Sequence, residues 1–351
     1  MGYIRFLLAL SIIFGHIPIS NKLLFGAPIA LHLFFVISGY SITYVLTEKH
    51  RNEQKVKLKD YYISRLLRIY PVYILVLLCS VAFEIYRYNQ GNVNATIGLF
   101  VRYVHDVPLI LWAIASNILI LGQDLFMFFG FNLSDHKFFL TNNFSLSPYR
   151  IDQLLFIPQS WALALILYFY LIAPWLAKRS TCFLLGLAIC SFLLRVILTA
   201  MGFPFEPWSY RFFPTELLFF LLGMLGYRWR GVLNKVIKHI PKALLLLFIL
   251  AVIIMFRSLP YISFHDYQLF EWIFIIVFIL VLPFLFVYRY KDRLPTILGE
   301  LSYPMYLTHL LFSVIVSKLH LPDPYHGITT IGVTILGSYG IIKAMKILRA
   351  G

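Results

Sequence analysis

Charge is what this chain has least of. Asp, Glu, Lys and Arg make up 13% of its 351 residues against 60% hydrophobic ones, and the mean hydropathy is +0.82. A water-facing surface needs roughly twice that share of charge. A soluble globular domain is therefore excluded, and a polytopic helical membrane protein is expected. Carboxylates are scarcest, 15 against 30 Lys and Arg. The resulting net charge of +15 does not point to nucleic acid, because the basic residues cluster in short loops between apolar runs, as cytoplasmic loops do. The three cysteines, Cys79, Cys182 and Cys190, all lie inside apolar runs, which excludes a disulfide framework and a metal-ligand spacing. No small-x-small cleavage site follows the apolar run Phe6–Phe14, so the first segment reads as a retained span and not a cleaved signal. No internal repeat is present, which weighs against inverted-repeat transporter folds. Residues 1–351 are expected to form a single transmembrane domain with no soluble appendage.

What is there is a series of apolar stretches, at 3–19, 29–47, 71–88, 160–177, 181–201, 213–228, 243–257, 269–288, 297–317 and 328–342. Residues 48–70 carry Lys49, Arg51, Lys55, Lys57, Lys59, Arg65 and Arg68. Further basic sites follow at Lys178 and Arg179, at Arg228 to Lys238, at Arg289 to Arg293 and at Lys343 to Arg349. Placing all of these and Arg5 in the cytoplasm orients the chain. An even number of crossings must then separate 48–70 from Lys178, and 71–88 with 160–177 supplies it. The remaining apolar stretch, 107–122, is thus expected to be re-entrant or interfacial. The expected fold is an all-α integral membrane bundle of about ten transmembrane helices plus that segment. Both termini face the cytoplasm, and the polar region 123–158 faces outward.

Arg5 and His16 are the strongest hydrogen-bonding side chains of the first stretch. Their spacing places them about 20° apart around a helix and roughly 16 Å apart along it. An Arg at the mouth of a membrane helix and an ionisable ring about halfway across suggest a track for an elongated anion. Arg65 and Arg68 share a helix face, just before Pro71 opens the next span. Two guanidiniums suit a phosphate or pyrophosphate, while positive-inside topology with lipid headgroup contact is the plainer account. The densest polar run in any span surrounds Pro304, with Ser302, Tyr303, Tyr306, Thr308 and His309. Helix–helix hydrogen bonding and a cavity lining both fit Ser302 and Thr308, and a cavity is expected for His309. Arg195 lies deep in an apolar stretch and needs an anion. Glu216 is the expected partner, in a structural ion pair.

Six motifs occur in order: Arg5-x10-His16; Leu33-Phe34-Phe35-Val36-Ile37-Ser38-Gly39-Tyr40; Arg65-Leu66-Leu67-Arg68-Ile69-Tyr70-Pro71; Gln159-Ser160-Trp161; Phe220-Leu221-Leu222-Gly223-Met224; and Gly299-x-x-Ser302-Tyr303-Pro304-x-Tyr306-Leu307-x-His309. Together they resemble the membrane acyltransferase-3 family, which includes bacterial O-acetyltransferases of surface polysaccharides. The resemblance runs over essentially the whole chain. It implies an acyl-CoA donor (acetyl-CoA), an acceptor hydroxyl on a cell-surface or lipid-linked sugar, and a bacterial inner membrane. It implies that His16 is catalytic and that Arg5, Arg65 and Arg68 hold the donor's phosphates. By the same likeness Ser38, Gln159, Ser160, Trp161, Ser302, Tyr303, Tyr306 and His309 line the site, with no metal and no nucleic-acid partner.

Two departures stand out. The family pattern Trp-Ser/Thr-Leu-x-x-Glu-x-x-Phe-Tyr has Ile166 here in place of its Glu. Near the C-terminus, Ile341-Ile342-Lys343-Ala344 replaces Ile-Glu-Lys-Pro. Both exchange a carboxylate for an aliphatic chain. Two other readings use the same residues. One is a transporter or exporter of an anionic metabolite along the basic track. The other is a catalytically inactive scaffold of an envelope-polysaccharide complex, which the loss at Ile166 keeps open.

Overall fold

The computed structural model describes residues 1–17, 26–51, 57–147, 150–203, 206–238, 269–287 and 293–350. The apolar stretch 243–257, the basic residues Lys55, Arg289 and Lys291, and Pro18 lie outside them. Among the described residues the architecture is all-α apart from one small hairpin. The helices are α1 (Gly2–His16), α2 (Ala27–Arg51), α3 (Leu58–Asn89), α4 (Thr96–Arg102), α5 (Val107–Leu119), α6 (Trp161–Leu176), α7 (Thr181–Ala200), α8 (Phe213–Arg228), α9 (Arg230–Lys238), α10 (Leu269–Val287), α11 (Arg293–Ser317) and α12 (Asp323–Ala350). Among the described residues five stretches are long and apolar enough to cross a membrane: Ala27–Glu48, Leu58–Asn89, Pro158–Leu176, Thr181–Ala200 and Tyr325–Ile347. Gly2–His16, Val107–Leu119 and Glu271–Phe286 are shorter apolar helices.

Three elements differ from their sequence reading. Helix α1 stops at His16, and Ile17 is extended with φ −121° and ψ 149°. Fifteen residues rise only about 22 Å, so His16 closes the helix and is not midway along a longer one. Helix α3 starts 13 residues before Pro71 (71 − 58 = 13), so Arg65 and Arg68 belong to it and not to a loop. A proline removes one rung of the hydrogen-bond ladder, and the remaining rungs of a 32-residue helix carry it through. The region 123–158 forms 3-10 turns and an antiparallel hairpin of β1 (Phe129–Asn132) and β2 (Lys137–Leu140). Its polar composition hid two short aromatic strands, in which Phe131 faces Phe138 across the ladder.

The chain folds into two compact units. The first comprises Met1–Val56, Ala173–Leu193 and Leu217–Lys343; the second comprises Lys57–Ile172, Leu194–Glu216 and Ala344–Gly351. In the first, α1 packs against α2 and α11. The buried seam is Ile13, Ile17, Leu301 and Met305, covered by Phe6, Leu10 and Leu298. Helices α2 and α8 cross through a reciprocal pair of glycines. A Cβ on Gly39 would stand 2.0 Å from the Phe220 carbonyl oxygen, and one on Gly223 2.0 Å from that of Val36. Only glycine allows backbones this close, as in small-residue crossings of membrane helices. Two of the six motifs are thereby accounted for by packing.

The second unit is organised by a buried polar network. Tyr73 donates to the Asn117 carbonyl at 2.6 Å, and Gln123 Nε2 donates to the Tyr73 hydroxyl at 2.9 Å and to the Ser116 carbonyl at 3.0 Å. The Asn117 amide bridges the carbonyls of Ala113 and Leu154, both at 2.9 Å. A satisfied network of this kind fixes irregular backbone that no apolar packing could hold. Arg195 and Glu216 form a buried ion pair at 2.6 Å, with side chains 4% and 0% exposed.

Candidate active site

Helix α11 carries His309 one turn beyond the seam residue Met305, and α1 ends in His16 one turn beyond Ile13. Packing the seam brings the two imidazoles together, with ring centroids 5.3 Å apart and planes tilted by 34°. His16 is exposed and His309 is fully enclosed, at 0%. The Nδ1 of His309 lies 2.7 Å from the Tyr306 carbonyl oxygen. A carbonyl only accepts, so Nδ1 carries the proton, and in the neutral ring Nε2 is the basic nitrogen. That Nε2 is buried without a hydrogen-bond partner among the described residues. Orphaned buried polar atoms are rare and mark sites of function or missing solvent.

Near the other end of α1, Arg5 Nη2 donates to Ser41 Oγ on α2 at 3.4 Å. Gly2 lets this end press onto α11, where a Cβ would stand 1.6 Å from the Pro295 carbonyl oxygen. Arg5 and His16 thus lie at opposite ends of one helix that is clamped at both. Sequence reasoning did not single out Ser41, which directly follows the motif ending at Tyr40.

The remaining residues of the α11 motif divide by use. Ser302 donates to the Gly299 carbonyl and Thr308 to the Pro304 carbonyl, both at 2.8 Å, so these hydroxyls are engaged within their own helix. Tyr303 and Tyr306 are half-buried, as is Ser38 on α2. Arg5, His16, Ser38, Ser302, Tyr303, Tyr306 and His309 all belong to the first unit.

Arg65, Arg68, Gln159, Ser160 and Trp161 belong to the second unit. Arg65 is flanked by the rings of Tyr61 at 5.7 Å and Tyr170 at 6.0 Å, and Arg68 is exposed. Ser160 is enclosed, with its hydroxyl against Gln123 Oε1 and the Ile157 carbonyl. Trp161 lies under the Arg211 guanidinium, 4.3 Å from ring centre to Cζ, while Arg211 pairs with Glu206. Gln159 is buried, and Ile166 is half-buried on α6. Ser160 and Trp161 therefore contribute to the architecture of this unit.

Asp124 is a further buried carboxyl that no motif indicated. Burial pushes it up to about 6, partly offset by the Tyr168 hydroxyl, which donates to it at 3.0 Å. Among the described residues no three His, Cys, Asp or Glu side chains converge as they would around a metal ion.

Comparison with known proteins adds to this geometry. The family model for the acyltransferase domain of the acyltransferase-3 type matches residues 1–343. Three Staphylococcus aureus proteins, from strains COL, MSSA476 and MRSA252, bear the provisional name O-acetyltransferase. Each is 30% identical over 130 residues, which is 35% of this chain and 20% of the relative. The matched stretch thus spans about a fifth of each relative's length. No solved structure matches the chain.

Proposed function

Because the chain belongs to the acyltransferase-3 family, we propose that it is an integral membrane O-acyltransferase of the bacterial inner membrane. It moves an acetyl group from cytoplasmic acetyl-CoA to a hydroxyl of a cell-surface or lipid-linked sugar. The observation that carries this reading is the pairing of His16 with His309, at 5.3 Å, on a helix whose far end presents Arg5. Arg5 takes phosphate oxygens of the donor; Arg65 and Arg68, which belong to the second unit, are further candidates for that role. The long arm of the donor then delivers its thioester toward His16.

His16 accepts the proton of the acceptor hydroxyl as that oxygen attacks the thioester carbon. The tetrahedral adduct collapses by breaking the C–S bond, and the imidazolium returns its proton to the departing thiolate. Such general-base assistance is worth about 10²–10⁴-fold. His309, locked by Tyr306 in one tautomer, holds the His16 ring in place and offers Nε2 as a second proton acceptor.

The test is acetyl transfer from acetyl-CoA to cell-surface glycans, measured with wild type and His16→Ala. Loss of glycan acetylation in the variant, with the protein still folded and inserted, supports the reading. Unchanged acetylation overturns it.

A further inference from the structure

The second unit contains a cavity of about 480 Å³ unrelated to the histidine pair, lined by His105, Asp106, Leu109, Phe131, His136 and Phe138. Its volume lies within the range of small-molecule sites. Asp106 occupies the N-cap position of α5 but makes no side-chain cap bond. Its carboxylate is instead committed to this cavity. Oδ1 lies 2.5 Å from Nδ1 of His136, and the residue is only 7% exposed. Its Oδ2 has no hydrogen bond among the described residues. His136 reaches Asp106 from the β1–β2 turn through a left-handed backbone, φ +52°, a conformation in which His is one of the tolerated residues.

The walls are apolar and aromatic. Leu109 and Phe131 are buried beneath, while Phe138 is 41% exposed and meets Phe131 edge-on at 5.0 Å. Oδ1 of the carboxylate already has an imidazole for a partner, which leaves Oδ2 to accept from a ligand donor. What it offers is an acceptor oxygen, ring nitrogens and aromatic faces. A neutral ring with hydroxyl donors and C–H faces meets all three.

We propose that this cavity is a binding subsite for a neutral sugar ring, with Asp106 Oδ2 accepting from a ring hydroxyl and Phe138 packing on the ring's C–H face. That this ring belongs to the acceptor rests on the acyltransferase reading; the binding itself does not.

The experiment uses the full chain in lipid nanodiscs. Methyl β-D-glucopyranoside, methyl β-D-galactopyranoside and methyl α-L-rhamnopyranoside are offered as probes and detected by saturation-transfer NMR. Choline is offered in parallel as a cation of similar size. At least one glycoside should bind. Asp106→Asn and Phe138→Ala should each weaken it by about fivefold or more, at an unchanged unfolding midpoint, and His16→Ala should leave it unaltered. Absence of glycoside binding, binding indifferent to both substitutions, or choline bound in place of the glycosides overturns the subsite. His16-dependent breakdown of acetyl-CoA without glycoside binding overturns the subsite alone. Glycoside binding that Asp106→Asn abolishes supports the subsite even where acetyl-CoA is untouched, a result that sinks only the acyltransferase reading.

Discussion

His16 and His309, which end one helix and lie within another, hold their rings 5.3 Å apart, one exposed and the other enclosed. This division gives them unequal work. His16→Ala should lower kcat/KM by about 10²–10⁴-fold. His309→Ala should lower kcat by about tenfold or more while the KM for acetyl-CoA stays put, because no donor contact is removed. The double variant should be no slower than His16→Ala alone, since groups that act as a unit are not additive. Additive losses in steady-state kinetics would show that the rings act independently.

Arg5 should behave as a donor-binding group. Arg5→Ala is expected to raise the KM for acetyl-CoA about tenfold with kcat little changed, the mark of lost uniform binding. Arg5→Lys should recover only part of this, because an ammonium lacks the planar fork. Ser41→Ala removes the 3.4 Å contact that steadies the guanidinium and should cost less than either. Initial rates against donor concentration decide the order.

The glycine crossing should be intolerant. Gly39→Ala and Gly223→Ala place a Cβ 2.0 Å from a carbonyl oxygen, and overpacking on this scale destabilises by about 1–3 kcal/mol or more. Gly186→Ala on α7 meets nothing within 4 Å and should be neutral or mildly stabilising, as alanine favours helix. Thermal unfolding in detergent separates the two classes.

Asp124 predicts a dependence on pH. Its carboxyl is raised from 3.8 to about 6, so between those values the folded state binds the extra proton. Stability from this group therefore falls as pH rises through that window, and the cost is complete above it. A shift of this size corresponds to about 3 kcal/mol. Asp124→Asn, which still accepts from Tyr168, should stabilise the protein at pH 7.5 and have a much smaller effect near pH 4. Melting curves at the two pH values test the slope.

The Arg195–Glu216 pair should show the asymmetry of buried ions. Arg195→Met leaves Glu216 enclosed with its 2.6 Å counter-ion gone, at a cost of about 3–5 kcal/mol. Adding Glu216→Leu should restore most of the loss. A double variant as unstable as Arg195→Met would contradict an ion pair that serves only structure.

Some of this is legible in the sequence alone. Composition and apolar runs indicate a helical membrane protein, and six ordered motifs resemble the family to which the chain belongs. His16 and His309 stand out individually because ionisable rings are rare in apolar helices. Their juxtaposition does not, since it depends on how α1 packs against α11. Proline marks a helix start often enough that Pro71 reads as a boundary, and only the intact helix on both sides corrects it. The contacts of Ser160 with Gln123 and Ile157 do not show in the sequence, because a motif of three residues names neither partner. The Phe131–Phe138 pairing escapes because four-residue strands are too short for periodicity to register.

Helix α3 has one more implication. Its 32 residues rise about 48 Å, against a hydrocarbon core of about 30 Å. A rigid rod so much longer than its solvent layer must overhang it. If the basic residues face the cytoplasm, as the sequence leads one to expect, the overhang carries Arg65 and Arg68 into the water beside the lipid headgroups. Their height above the bilayer is then set by acyl-chain length and by the tilt of the rod. If Arg65 and Arg68 hold the donor as proposed, its capture becomes sensitive to which lipids surround the protein, and reconstitution into bilayers of graded thickness should change the apparent donor affinity while leaving the histidine chemistry alone.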